Sequence, residues 1–393
     1  MKVLHICSDD KGGAGLCCLR LHQALLNQGV RSNVLLLNKT RHDVPLVFEY
    51  GRKKYFFWRL FNKVLRLLHL RVTNYNKAKW LCKRTGGVYT LPLSVVDVAS
   101  CKLVNDADII HLHWVGDFID YPSFFRKIQN PIVWTLHDEN LFFGIAHYEK
   151  QALFDNYLEK KYYDIKLKII HSVSNLKIVF LSEMMYGKFH HHEMIKGRHS
   201  SIINNSVDCN KYKPFDKKKS RQKFGISETA RVFVFVAALI TDPRKGLIHL
   251  VEAIEQLQMD DTVILAVGNN LEKVQLPHVF SVGAINDAET ISKAYSCADY
   301  FVMPSKQEAF AQTPIEAMAC GIPAIVFPVS GTKELINDNN GIIANGFTSQ
   351  DLEIAIRIAI AQTFDSKAIR QDMINRFSPD SIAKKYINLY NEL

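Results

Sequence analysis

Two carboxylates, Glu308 and Glu316, bracket the segment Glu308-Ala-Phe-Ala-Gln-Thr-Pro-Ile-Glu316. Upstream, Asp299-Tyr-Phe-Val-Met-Pro304 reads as an apolar strand ending in Pro, and Thr313-Pro314 reads as an N-cap followed by a first-turn Pro. A helix is therefore expected to begin between the two acids. Gly321 and Pro323 stop it, and Ala324 to Phe327 resumes as a buried strand, completing a strand, loop, helix, strand unit of the kind that builds parallel sheets. Loops at the carboxyl ends of such strands bind ligands. The free N–H groups of a helix start suit a phosphate, and carboxylates on the rim suit hydroxyls. A ligand that carries both is a nucleotide sugar. Thr313-x-x-Glu316 is also a capping-box spacing, so Glu316 has a structural reading beside the functional one. Glu308 lies in the loop, with no capping or packing duty expected of it.

Other residues fall where chemistry would need them. Arg244-Lys245-Gly246 lies just beyond the strand expected over Val232 to Ala238, where a positive pair would meet a diphosphate, although basic loop residues are commonly only solvated. His137 and Asp138 follow the apolar strand Ile132 to Leu136, and His111 and His113 flank Leu112 at another strand end. A histidine near a core is more often a hydrogen-bonded packing residue than a catalytic one. The His190-His-His192 run with His199 lacks accompanying Cys and reads as a surface loop rather than a metal site.

The elements that must position these residues are those of a doubly wound fold used twice. Strands are expected over Val3 to Cys7, Val34 to Leu37, Asp108 to Leu112 and Ile132 to Leu136, with a helix over Gly15 to Leu26. The second half adds strands over Val232 to Ala238, Thr262 to Val267, Val279 to Val282, Tyr300 to Met303 and Ala324 to Phe327, with helices over Leu247 to Leu257 and Ala288 to Cys297. Lys211 to Lys223, Lys-rich and containing Pro214, is the expected linker. At 393 residues the chain exceeds what one core usually serves. The longest apolar run, Val232 to Ile240, is strand length, and Val3 to Cys7 is too short for a signal peptide. Eight cysteines without a Cys-x-x-Cys pair read as reduced packing residues of a cytoplasmic protein.

One segment is unusually basic. Residues 51 to 84 hold eleven Lys or Arg and no Asp or Glu. Arg59, Lys63 and Arg66 recur at helical spacing opposite an apolar face of Phe57, Leu60, Phe61, Val64, Leu67 and Leu68. Such a helix suits an anionic membrane surface, and the alternative is a helix packed on its own domain with a solvated basic face. The net charge of +10 permits nucleic-acid binding, but no binding motif accompanies it and none is expected.

Pro304-Ser-Lys-Gln-Glu308 through Glu316-Ala-Met-Ala-Cys-Gly-Ile-Pro323 resembles the E-x7-E region of retaining glycosyltransferases of family 4, which have the GT-B fold. Gly12-Gly-Ala-Gly15, Thr135-Leu-His-Asp138, Ile203-Asn-Asn-Ser-Val-Asp208, Arg244-Lys-Gly246 and Gly331-Thr-Lys-Glu334 follow the family's order across nearly the whole chain. The resemblance implies two α/β, Rossmann-like domains facing a cleft: residues 1–208 on the acceptor side, 209–376 binding the nucleotide sugar, and 377–393 a helix crossing back, for which Pro379 to Leu389 is suitably placed. It implies catalytic roles for Glu308, His137 and Lys245, to which Arg244 is added for its place beside Lys245. Many members carry a Gly-Arg several residues before the Lys-Gly, and here Ile240 holds that Arg position, with Arg244 as the substitute. Glu316 would hold the ribose, with Ala309, Phe310, Ala311, Gln312, Thr313, Gly13 and Gly283 around the donor and Gly15, Asp138 and His113 on the acceptor side.

The function so implied is sugar transfer from a nucleotide-diphosphate donor onto a glycan or lipid-linked acceptor in capsule, exopolysaccharide or lipopolysaccharide assembly. Configuration would be retained by front-face attack, with a donor phosphate oxygen taking the acceptor proton. No cofactor and no metal ion are expected, and the oligomeric state is open. The protein would be cytoplasmic, held peripherally at the inner membrane face. Two rivals belong to other classes: a glycosyltransferase-like scaffold without turnover, and a nucleic-acid-binding protein. A dinucleotide oxidoreductase fits poorly, because Cys18 stands where the Rossmann fingerprint needs its third small residue and Val34 to Asn38 lacks the ribose-binding acid.

Overall fold

A computed structural model of the chain describes residues 1–51, 53–68, 73–152, 155–269, 276–308, 310–329 and 331–393. The chain forms two compact units, Met1–Ile203 with Ala383–Leu393, and Asn204–Ile382. The divisions expected at 208/209 and 376/377 lie within six residues of these.

The first unit is built on seven parallel strands: β1 (Lys2–Asp9), β2 (Arg31–Asn38), β3 (Val47–Glu49), β4 (Ile109–Leu112), β5 (Ile132–Thr135), β6 (Leu176–Phe180) and β7 (Ser200–Ile202). Their order is β3-β2-β1-β4-β5-β6-β7. The second holds six: β8 (Arg231–Leu239), β9 (Thr262–Asn269), β10 (Val279–Ser281), β11 (Tyr300–Met303), β12 (Ala324–Val326) and β13 (Gly341–Ile343), ordered β10-β9-β8-β11-β12-β13. Strand order reverses between β1 and β4 in one unit and between β8 and β11 in the other. These are the switch points outside which open α/β sheets bind their ligands. The expected fold class, doubly wound α/β used twice, is what the chain adopts. Near-continuous burial along β1, β4, β5, β8 and β11 accounts for it, since strands covered on both faces by helices read as apolar runs.

Element ends differ from the sequence expectation by up to three residues. The first helix runs Gly12–Asn27, starting ahead of Gly15, and Gly15 itself has a packing duty: a Cβ there would lie 2.5 Å from the Asp9 carbonyl oxygen. Only glycine lets the helix sit this close to the end of β1. The helix Leu247–Leu257 occupies the span expected, burying Leu247, Leu250, Val251, Ile254 and Leu257 against Phe233, Phe235 and Ile264 of the sheet.

The Lys-rich stretch expected to link the units is not a linker. Residues Lys217–Phe224 form a helix inside the second unit, capped by Asp216 and closed by Gly225 in the left-handed region. Its Arg221 is buried, donating to the Cys297 carbonyl at 3.0 Å and pairing with Asp299 at 3.0 Å. The distance in sequence from Arg221 to those acceptors hides this anchor from a local reading. The last helix, Pro379–Asn391, places Tyr386 and Tyr390 in the first unit, where they bond Thr135 and His111 at 2.8 and 2.6 Å.

The basic segment does form a helix, Lys53–Leu67. Its inner side is Trp58, edge-on to Tyr75, and the buried Asn62, which donates to the Trp58 carbonyl and accepts from Thr73. Its apolar outer side is not packed on the unit: Phe57 is 67% exposed, Phe61 57% and Leu67 70%. The Arg66 side chain lies outside the described residues. The His190 to His192 run closes the helix Glu183–Phe189 rather than forming a loose loop, with His190 stacked on Tyr186 and His192 capping a short turn.

Candidate functional site

In the second unit the loop after β8 and the loop after β11 are joined at the switch point. The Lys306 amide donates to the Arg244 carbonyl at 2.8 Å, and the buried Ser305 hydroxyl donates to the same oxygen at 3.1 Å. Gly246 makes this approach feasible. It sits at φ +78°, and a Cβ on it would lie 2.1 Å from the Pro304 carbonyl oxygen. The consequence is an ion pair between Lys245 and Glu308, Nζ to Oε1 at 2.5 Å, with the Ser305 hydroxyl donating to the same oxygen at 2.9 Å. Glu308 therefore has partners that the sequence did not suggest. A lysine and a glutamate far apart in the chain become a single fixed dipole.

Arg244 does not join them. Its guanidinium pairs with Asp242 at 2.6 Å, and although burial alone would raise the Asp242 carboxyl, that pairing holds it below the usual range. The cation beside Lys245 is thus already neutralised by its own loop.

The helix after Glu308 runs Gln312–Ala319 and starts earlier than expected. Its N-cap is Ala311, with no side-chain cap. The Thr313 to Glu316 capping box is absent: the Thr313 hydroxyl points to Met303 Sδ at 3.8 Å, and Glu316 is buried and accepts from the Tyr295 hydroxyl at 3.3 Å. Once the helix starts at Gln312, Thr313 lies inside the first turn and can no longer serve as its cap. Burial, then the Glu316 carboxylate, pushes the Tyr295 hydroxyl well up, which keeps it a donor. Phe310 and Ala311 are buried at the entry to this helix, with the Phe310 ring beside Phe377. Gly283 lies at φ +72° after β10, with open space where a Cβ would be. Ala309 lies outside the described residues.

In the first unit the sequence-selected residues gather at the ends of β4 and β5. His113 Nδ1 lies 3.0 Å from His137 Nε2. Burial pushes the His137 imidazole down to about 4, with Asp138 opposing only in part, so the ring is neutral near pH 7. Asp138 faces the other way. Its Oδ2 accepts from His147 Nδ1 at 2.5 Å and from Trp114 Nε1 at 2.9 Å. Burial alone would raise this carboxyl, but His147 and the hydrogen bonds of Asn140 and Trp114 outweigh it and hold it low. His137, Asp138, His113 and His147 line a cavity closed by Trp114, Tyr121 and Trp134. Gly13 borders open space at the start of the first helix.

Several contributors escaped sequence reasoning. His147 lacks any motif of its own. Lys166 is buried and donates to the Asn140 and Phe143 carbonyls at 2.7 and 2.9 Å, fixing the loop under the cavity, and burial pushes it down to about 7. Among the described residues, His5, Cys18 and His113 offer ligand atoms within 4.8 Å of one another, but both His113 nitrogens and His5 Nδ1 are taken up in imidazole-to-imidazole bonds. The chain also holds one Asp-x-Asp spacing, Asp106-Ala107-Asp108, just ahead of β4, and there Asp108 accepts from the Lys2 amide at 2.7 Å.

Residues 216–376 match the family described as glycosyl transferases group 1. The D-inositol 3-phosphate glycosyltransferase of Geodermatophilus obscurus is 28% identical over 186 residues, a match that spans 42% of this chain and less than half, 41%, of that relative. An uncharacterized 41.2 kDa protein in the cps region of Klebsiella pneumoniae is 21% identical over 343 residues, covering 80% of this chain and 88% of its own. Among solved structures, Anabaena Alr3699/HepE in complex with UDP is similar over 100% of both chains, with a TM-score of 0.70 at 19% identity. The two-unit architecture is the GT-B fold.

Proposed function

We propose that this chain, a group 1 glycosyltransferase by its matched residues 216–376, moves a sugar with retained configuration from a nucleotide-diphosphate donor onto a glycan or lipid-linked acceptor of a cell-surface polysaccharide. The observation that carries the reading is the Lys245–Glu308 pair at the switch point of the second sheet. Breaking the bond between an anomeric carbon and a diphosphate builds negative charge on the leaving phosphate, and a fixed ammonium stabilises that charge most when it need not reorganise. Lys245 has that character, because Glu308 and the zipped loops hold it in place. Glu308, holding Lys245 through Oε1, would accept from donor hydroxyls through its other carboxylate oxygen while the departing diphosphate meets the ammonium where it already stands. Glu316, held by Tyr295, is the candidate ribose ligand, and the Gln312–Ala319 helix start supplies N–H donors. With Arg244 matched by Asp242, Lys245 carries the larger share of the electrostatic work. The proton of the acceptor would pass to the donor's own phosphate, with no metal required. The location in the cps region is a property of the Klebsiella relative, and it favours capsule among the surface polysaccharides.

No helix among the described residues is long and apolar enough to cross a membrane. Peripheral attachment at the inner face is supported by the Lys53–Leu67 helix, whose exposed Phe57, Phe61 and Leu67 sit with exposed Arg59 and Lys63.

Thermal unfolding of the full chain with UDP, GDP, ADP and dTDP in turn tests the class. One of them is expected to stabilise it, by about 2.7 kcal/mol at a hundredfold excess over Kd. A flat response to all four counts against the enzyme and for a scaffold. Steeply salt-dependent binding to DNA or RNA instead would favour the nucleic-acid reading.

A further inference from the structure

Three imidazoles in the first unit form one continuous hydrogen-bonded chain. His5 Nδ1 lies 3.0 Å from His113 Nε2, and His113 Nδ1 lies 3.0 Å from His137 Nε2. The inner end is closed, since His5 Nε2 is buried without a hydrogen-bond partner. At the outer end His137 is one of the residues that line the cavity. The middle ring is held firmly: it stacks on His111 at 4.2 Å, and Trp134 Nε1 donates to the His113 carbonyl at 3.1 Å. His111 is held in turn by Tyr390 and Thr135. Burial keeps all three rings of the chain neutral at pH 7.

A chain of neutral imidazoles has only two proton arrangements, because each bond takes one proton between two nitrogens and the choice at one ring dictates the next. With the protons on Nε2, His5 would bury an orphaned N–H. With the protons on Nδ1, it buries an unused lone pair. Orphaned buried N–H groups are the rarer of the two in native proteins. We propose that His5 and His113 are positioning residues: each donates from Nδ1 to the Nε2 of the next ring, so that His137 is held as the Nδ1–H tautomer and turns a hydrogen-bond donor toward the cavity. The oxygen that fits this donor is an uncharged sugar hydroxyl, a role that rests on the reading of His137 as a substrate-side residue.

The test uses the full chain with ¹⁵N-labelled histidine rings, recording two-bond ¹H–¹⁵N spectra at pH 7.5. His137 should be protonated on Nδ1 in the wild type. His113→Leu should release it to a mixture containing Nε2–H, and His113→Asn, whose amide can donate to His137 Nε2, should restore it. Turnover of UDP-glucose by hydrolysis should follow the tautomer, with kcat/KM falling about tenfold in His113→Leu, as for one lost hydrogen bond, and recovering in His113→Asn. A wild-type His137 protonated on Nε2, or a tautomer indifferent to His113→Leu, overturns the proposal. If His113→Leu does not fold, His5→Leu gives the same reading from the inner end. A shifted tautomer with unchanged turnover overturns the positioning role. A wild-type chain with the expected tautomer and no turnover of any nucleotide sugar upholds the wire and instead overturns the functional reading.

Discussion

Acidification should unfold the first unit ahead of the second. His5, His111 and His113 are buried and held well below the ordinary histidine range, and His137 is pushed down to about 4, chiefly by burial in each case. A base whose folded value lies below its unfolded one leaves stability intact above pH 6.5, because neither state is charged there. Stability is then lost as pH falls toward the folded value, because the unfolded chain takes up protons that the native unit refuses. Between pH 7.5 and 5 each buried ring costs at most about 2 kcal/mol, a ceiling set by its unfolded value, so the four together cost at most about 8 kcal/mol. That is comparable to the whole stability of a typical domain. All four tryptophans, Trp58, Trp80, Trp114 and Trp134, lie in this unit, so tryptophan fluorescence reports it alone. Urea titrations at pH 7.5, 6.0, 5.5 and 5.0, followed by fluorescence and by far-UV circular dichroism, should show the fluorescence midpoint collapsing toward pH 5 while a second dichroism transition persists. A fluorescence midpoint that moves by less than one histidine's worth, about 2 kcal/mol, refutes the assignment of neutral buried imidazoles.

Glu308→Gln should lower transfer by about a hundredfold or more while leaving the unfolding midpoint nearly unchanged, and near-normal activity would remove Glu308 from the chemistry. Gly246→Ala forces a side chain into the left-handed region and against the Pro304 carbonyl, so urea unfolding should lose about 2–4 kcal/mol, whereas Gly283→Ala, with open space around it, should lose about 1 kcal/mol. Equal losses would show that the two loops yield freely. Charge reversal at Arg59 and Lys63 should release the chain from phosphatidylserine vesicles in flotation assays, and unchanged binding would leave the exposed apolar side as the sole contact.

Much of the fold was legible because its determinants are local. Runs buried on both faces mark parallel strands, and the span of the helix Leu247–Leu257 follows from its apolar spacing between Gly246 and Gln258. The errors share one cause. Lys211 to Lys223 looked like a linker because the acceptors of its Arg221, Cys297 and Asp299, are remote in sequence. Thr313 looked like a cap because the spacing to Glu316 fits a box that Tyr295, from another helix, preempts.

By itself the sequence determined two parallel α/β units and the strand-end loops that carry Glu308, Lys245, His113 and His137, because periodicity, turn residues and strand burial are written within a few residues. Only the tertiary structure decided that Lys245 pairs with Glu308 and that His5 lies behind His113 and His137. Those pairings depend on which strands become neighbours at the switch points, and strand adjacency is set by the packing of the whole sheet rather than by any local stretch of chain.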